Sequence, residues 1–256
     1  MEHSNQSSKK TPIIVSFDGN IGSGKSSVVR YFEKNFEKYC NMNIRHYKIC
    51  FLQEPVKIWE SIVDVNDGKN VIEKFYEDTK GYSFSFQMMA YISRLSLFKE
   101  ALEKDYDIIF TERSMYTDKN IFAKMLYDSG KMRSIDYQIY NKWFDEFASI
   151  IKTMKTIYIR TSPEICETRI FKRARPGEDI PLEYLKNCHK YHDDWLKTGE
   201  MLEEGNVLII DGNENTNTDM LSNNSFYDSI MSNAFNFIQT DKNNSMVENQ
   251  NNLALC

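Results

Sequence analysis

Residues 19–26 read Gly-Asn-Ile-Gly-Ser-Gly-Lys-Ser, with Gly19, Gly24, Lys25 and Ser26 at the spacing G-x-x-x-x-G-K-[ST]. An apolar run, Ile13-Ile14-Val15, precedes the stretch, and SSVVRYFEKNF follows it. Strand, glycine-rich loop and helix in that order form a cradle whose backbone N–H groups wrap phosphate oxygens. Asn20, Ile21, Gly22, Ser23 and Ser27 complete the loop. Lys25 is expected to meet the terminal phosphates as a point charge, and Ser26 to offer its hydroxyl to Mg²⁺. Such a loop restricts the chain to a parallel α/β architecture in which ligands lie at the carboxyl ends of strands.

The rest of the chain agrees. Apolar runs at 12–18, 43–49, 106–112, 155–160 and 206–211 read as five strands buried on both faces. Helical periods lie between them. Over 136–153, Ile139, Trp143, Phe147, Ile150 and Ile151 recur at three- and four-residue steps, which puts them on one face of a helix. Over 118–128, Phe122, Met125 and Leu126 do the same before Ser129-Gly130 stops the segment. Alternating β and α elements imply a mostly parallel sheet flanked by helices. Polar composition marks 1–11 and 239–256 as tails around a folded domain at 12–238.

Thirty-two basic and 37 acidic residues leave a formal charge of −5. The summed field therefore gives no general attraction for nucleic acid or an anionic membrane, and any phosphate site is local. The five cysteines are scattered, with no C-x-x-C pair, which speaks against a zinc cluster or disulfide framework. Without a secretory h-region or a membrane-length apolar run, a cytoplasmic location is expected.

Two acids fall at the ends of predicted strands beside the loop. Glu54 precedes Pro55, and Glu112 precedes Arg113. At that end of such a sheet, general base and metal-associated roles suit them. A third cluster, RIFKRAR, sets Arg169 and Arg173 four residues apart on one helix face, where like charges repel unless an anion is expected. With Arg175 they read as an arginine-bearing lid over transferring phosphates. His189 and His192 stand at i, i+3 with no third metal ligand in view.

Taken together, GNIGSGKSS, EPVKIW, FSFQMMAY, TERSMYTDKNIF and RIFKRAR with PLEYLKNCHKYHDDWL resemble, in register from about residue 12 to 212, the blocks of the deoxyribonucleoside kinase family. The resemblance implies a P-loop kinase fold and transfer of the γ-phosphoryl of ATP, with Mg²⁺, to the 5′-hydroxyl of a deoxynucleoside in nucleotide salvage. It implies that Glu54 is the general base, that Arg113 holds Glu54 and the hydroxyl, and that Glu112 serves the metal side. Tyr76 would meet the sugar 3′-hydroxyl. Gln87 would bind the base edge, with Phe86, Trp59 and Phe122 packed around the ring. Arg169, Arg173 and Arg175 would contact donor phosphates, and the family's usual assembly implies a homodimer.

Members favouring thymidine have small or apolar groups at three pocket positions that here read Ala90, Arg94 and Asp118, as in the deoxycytidine and deoxyguanosine kinases. An Arg–Asp pair presents a donor fork and an acceptor beside an exocyclic amino group and fills the room a thymine methyl needs. Deoxycytidine or purine deoxynucleosides are therefore expected over thymidine. The chain departs from the family in its lid, Arg175-Pro176-Gly177-Glu178-Asp179, where Glu178 keeps the spacing of the acid expected at the 3′-hydroxyl. DGNENTN, 211–217, stands in place of the donor-base loop. A nucleoside monophosphate kinase would carry Asp-Arg-Tyr where this chain has Glu112-Arg113-Ser114. A guanine-specific switch would need N-K-x-D, whereas Asn141-Lys142 runs into Trp143-Phe144.

Overall fold

The computed structural model describes residues 11–151, 154–174, 180–198, 200–213 and 224–253, with side chains from 225 to 239 in the last range and without those of Glu200 and Glu203. Arg175 and Glu178, expected in the lid, lie outside the described residues, as do residues 214–217 of DGNENTN. Five strands, β1 (Ile13–Asp18), β2 (Ile49–Leu52), β3 (Ile108–Glu112), β4 (Met154–Arg160) and β5 (Val207–Asp211), form one all-parallel sheet in the order β2-β3-β1-β4-β5. The helices are α1 (Lys25–Met42), α2 (Val56–Glu60), α3 (Val71–Glu77), α4 (Thr79–Leu102), α5 (Met115–Thr117), α6 (Lys124–Asp128), α7 (Ser134–Ala148), α8 (Pro163–Arg173), α9 (Leu182–Leu196), α10 (Glu200–Glu203) and α11 (Asn224–Leu253). A π-helical stretch, Asp118–Ala123, joins α5 to α6. The chain divides into two compact units, the first formed by residues up to Ser16, His46–Met154 and Ala174–Ile180 and the second by the remainder.

In the first unit, β2 and β3 run in parallel with Ile49 opposite Ile108 and Leu52 opposite Thr111. Phe75, Tyr91, Leu95, Phe98, Ile109, Met115, Leu126, Tyr140 and Phe144 make its core. Each such side chain contributes about 1.5–3 kcal/mol by leaving water. Local signals fix the helix starts: Asn70 and Glu73 form a reciprocal capping box on α3, and Asp78 accepts from Gly81 N–H at 3.0 Å on α4.

Two sequence expectations are corrected here. The second strand is Ile49–Leu52 rather than 43–49. The residues assigned to it close α1 in a Schellman turn, with Arg45 N–H on Cys40 O at 2.9 Å and Ile44 at φ +56°. Helix α7 ends at Ala148, and its buried face carries Asp136, Tyr140 and Phe144, while Ile139 and Trp143 are exposed. Apolar residues recur at helical spacing on both faces of α7, so periodicity could not choose the buried one. The stop at Ser129-Gly130 stands as read, with Gly130 at φ +69° and Lys131 N–H on Leu126 O at 2.8 Å.

In the second unit, β4 pairs β5 with Thr156 opposite Val207 and Arg160 opposite Asp211. Helix α1 packs Phe32 edge-on to Phe17 at 5.1 Å and stacks it on Phe36 at 5.4 Å. Helix α11 lies along α1, burying Tyr227, Ile230, Met231, Ala234 and Ile238 and accepting a 2.6 Å hydrogen bond from Tyr31 Oη at Asp228.

Candidate active site

In the second unit, β1 ends at Asp18 and the chain turns through Gly19–Gly24 into α1. Gly19 at φ +150° and Gly22 at φ +77° admit no side chain: a Cβ would stand 2.5 Å from Ile159 O at the first and 2.6 Å from Cys166 O at the second. Asn20 braces the bend, accepting from Ile21 N–H at 2.9 Å and donating from Nδ2 to Leu185 O in α9 at 2.9 Å. Helix α1 starts at Lys25 with no side-chain cap and no acid in its first turn. Among the described residues, its first-turn amides and the positive end of its dipole thus meet no side-chain cap and no acid of the same turn. Lys25, 4% exposed, donates to Asn20 O at 3.1 Å, and Ser23 Oγ is buried with no hydrogen-bond partner among the described residues. Arg169, on α8, donates to Ser23 O and Gly212 O, whereas Arg173 ends the same helix exposed.

In the first unit, Glu54 stands two residues past β2, and its Oε1 accepts from Arg113 Nη1 at 2.7 Å. Arg113 directly follows β3 and has φ +62°, which costs about 1 kcal/mol or more in a residue with a Cβ. Neighbours hold that conformation: Thr111 Oγ1 donates to Arg113 O at 2.7 Å, and Ser114 caps α5 in a reciprocal pair with Thr117. The Arg113 guanidinium lies over the Phe122 ring at 5.0 Å.

Arg94 and Asp118 form a buried pair, each about 2% exposed, with Arg94 Nε on Asp118 Oδ2 at 2.9 Å. Arg94 Nη1 also donates to Glu112 O at 2.8 Å, and Nη2 reaches Glu54 Oε1 at 3.5 Å. Burial opposes the guanidinium's charge, yet Asp118 and Glu54 hold Arg94 above its ordinary range. Burial pushes the Asp118 carboxyl up, against the pull of Arg94.

Gln87 is 2% exposed, and its Oε1 has no hydrogen-bond partner among the described residues. A buried acceptor left unpaired costs about 1–3 kcal/mol. Beside it in sequence, Phe86 stacks on Phe75 at 4.7 Å and meets Trp59 edge-on at 5.5 Å. Trp59 is fixed by its Nε1–H on Ser93 Oγ at 2.9 Å. Tyr76 lies 5.5 Å from Phe75, and Ala90 is buried on α4. The sequence thus found most of this cluster but not Phe75, Ser93 or Thr111, which support it without belonging to any motif. Nor did it single out Thr161 behind the phosphate loop; buried polar residues of these common types leave no pattern to read.

The histidine pair has other partners. His189 Nε2 lies 3.3 Å from Arg160 Nη2 and 3.6 Å from Asp193 Oδ2, and His192 is stacked on Tyr158 at 5.7 Å. Among the described residues no group of three or more His, Cys, Asp or Glu could hold a metal ion, and no helix is long and apolar enough to cross a membrane.

Comparison with known proteins identifies the family. The family pattern for deoxynucleoside kinase matches residues 15–239. A probable deoxycytidine kinase of Fowlpox virus (strain NVSL) is 33% identical over 229 residues, covering 88% of this chain and 87% of the viral protein. The deoxycytidine kinase of Mus musculus is 34% identical over 217 residues, 78% of this chain and 84% of the mouse protein. Mitochondrial thymidine kinase 2 of Macaca fascicularis is 30% identical over 210 residues, 79% of this chain and 72% of that protein. The chain belongs to the deoxynucleoside kinase family.

Proposed function

We propose that this kinase transfers the γ-phosphoryl of ATP to the 5′-hydroxyl of deoxycytidine or a purine deoxynucleoside in preference to thymidine. The observation that carries the chemistry is the 2.7 Å contact between Glu54 and Arg113 at the ends of β2 and β3. Glu54 takes the proton of the 5′-hydroxyl, and Arg113 keeps its carboxylate aimed and offsets the charge that develops. The phosphate loop Gly19–Ser27 binds the donor's phosphates through backbone amides, Lys25 neutralises them, and Arg173 closes on them from the end of α8. Ser26 and Glu112 offer hard oxygen donors and would hold Mg²⁺. Bound there, the ion would draw charge from the β- and γ-phosphate oxygens.

The buried Arg94–Asp118 pair supports the base preference. It presents a charged acceptor for an exocyclic amino group and occupies the volume of a thymine methyl, while Gln87 pairs with the base edge and Tyr76 with the sugar. The deoxycytidine kinases among the relatives agree with this choice. Helix α7 exposes Ile135, Ile139 and Trp143 at 60%, 41% and 49%, an apolar stripe at four-residue spacing suited to a second copy of the chain in a homodimer. The four described cysteines are unpaired, as suits a reducing compartment such as the cytoplasm.

Initial rates with deoxycytidine, deoxyguanosine, deoxyadenosine and thymidine at fixed ATP test the preference, and a clear lead for thymidine would overturn it. Glu54→Gln should lower kcat at least about 100-fold, the scale of a lost general base. Wild-type turnover in that variant would remove Glu54 from the chemistry.

A further inference from the structure

Arg169 belongs to the lid cluster, yet both of its terminal nitrogens are engaged on main chain. Nη1 donates to Ser23 O at 2.9 Å, and Nη2 donates to Gly212 O, just past β5, at 2.9 Å. Ser23 O receives a second hydrogen bond from the buried Thr161 Oγ1 at 3.0 Å. The guanidinium is half-buried, and desolvation lowers its pKa from the ordinary value. One rigid fork across two carbonyls fixes the spacing of the two backbones that carry them.

The carbonyl that receives both donors shares its peptide plane with the Gly24 N–H. In a planar trans peptide these two groups point in opposite directions, so pinning Ser23 C=O fixes the direction of the Gly24 N–H. Gly24 is the N-cap of α1, and a Cβ there would lie 3.4 Å from Arg169 Nη1, which shows how closely the fork backs the loop. We infer that Arg169, with Thr161, is a positioning residue that presets the phosphate loop from behind, and that it does not act as a ligand of the donor's terminal phosphate. The inference rests on reading residues 19–27 as the donor site.

The two roles separate in nucleotide binding. Loop amides meet phosphates that ATP and ADP share, whereas a ligand of the terminal phosphate discriminates between them. Arg169→Lys keeps the charge but cannot bridge two carbonyls. It should weaken ATP and ADP alike, by about tenfold each, the scale of one charged hydrogen bond. The KM for the deoxynucleoside should stay within about twofold, because the acceptor residues are elsewhere; a purely structural lesion would move both substrates. Thr161→Val should weaken both nucleotides by roughly threefold, and the double variant by less than the product, since both donors share one carbonyl. This second variant carries the test should Arg169→Lys fail to fold. Direct titration of each protein with ATP and with ADP reads these ratios. A penalty at least tenfold larger for ATP than for ADP, or no penalty in either single variant, would overturn the inference alone. Wild-type protein that bound neither nucleotide would overturn the donor-site reading and the inference with it.

Discussion

Removing one partner of the Arg94–Asp118 pair should have effects that differ in size and in pH dependence according to which partner goes. The attraction of the pair is about 4 kcal/mol at an effective dielectric of roughly 20 and a charge separation near 4 Å. Against it stands a desolvation cost of several kcal/mol for each ion, so the intact pair contributes little net stability. Asp118→Asn leaves a guanidinium 2% exposed, with Glu54 at 3.5 Å as the remaining carboxylate in reach. Arginine cannot shed its charge, so the loss should be about 3–5 kcal/mol at any pH where Glu54 and the fold are intact. Arg94→Met strands a carboxyl, and a carboxyl can take up a proton.

Burial already holds the Asp118 carboxyl above its ordinary range with Arg94 present. Without Arg94 it rises further. A carboxyl whose folded pKa is raised binds more protons folded than unfolded between the two pKa values, so stability falls there as pH rises, by up to about 1.4 kcal/mol per unit. The deficit of Arg94→Met should therefore shrink as pH falls from 8 toward 5, while that of Asp118→Asn should not. The double variant Arg94→Met with Asp118→Asn should lose less than Asp118→Asn alone. Urea unfolding of the four proteins at pH 5, 6.5 and 8 measures this. A cost for Asp118→Asn below about 1 kcal/mol, or a pH-independent deficit for Arg94→Met, would refute the argument that burial dominates the pair.

Ile44, 85% exposed and at φ +56° in the C-terminal turn of α1, should gain about 1 kcal/mol on replacement by Gly, read as a higher urea midpoint. Tyr140 Oη is buried with no hydrogen-bond partner among the described residues, so Tyr140→Phe should leave stability unchanged or raise it by up to about 1 kcal/mol; a loss above that would reveal a water bound to the hydroxyl. Ile139→Glu, at the centre of the exposed stripe on α7, should shift sedimentation toward the monomer without unfolding the chain, because its side chain lies outside the core.

The sequence was most legible where function and local structure require the same residues. Gly19, Gly24, Lys25 and Ser26 had to stand where a buried strand gives way to a helix, and β1 ends at Asp18 while α1 begins at Lys25. Buried strands were readable as apolar runs, except where residues 43–48 offered helix-terminal coil with enough apolar character to pass for one. The residues read at helical steps over 136–153 divide: Phe147, Ile150 and Ile151 pack on the core, while Ile139 and Trp143 do not. Tyr140 and Phe144 face the core, Ile139 and Trp143 face outward, and a protein that exposes an apolar face hides from periodicity which face is inside.

Around Glu54, Arg94 and Arg113 the residues were legible and the backbone was not, because the geometry there depends on departures from regular structure. Arg113 reaches Glu54 from a left-handed residue that no propensity favours, stabilised by Thr111 before it and the Ser114 cap after it. Asp118 opens, and Phe122 sits within, a π-helical stretch, where each turn holds more residues than an α-helix. Asp118 pairs with Arg94, and Phe122, four residues on and on the same face, lies under Arg113. The left-handed Arg113 and the π stretch lie within ten residues of each other, and their side chains meet Glu54 and Arg94. Sequence periodicity reports regularity, and it carries no signal for a left-handed residue or a π-helical turn.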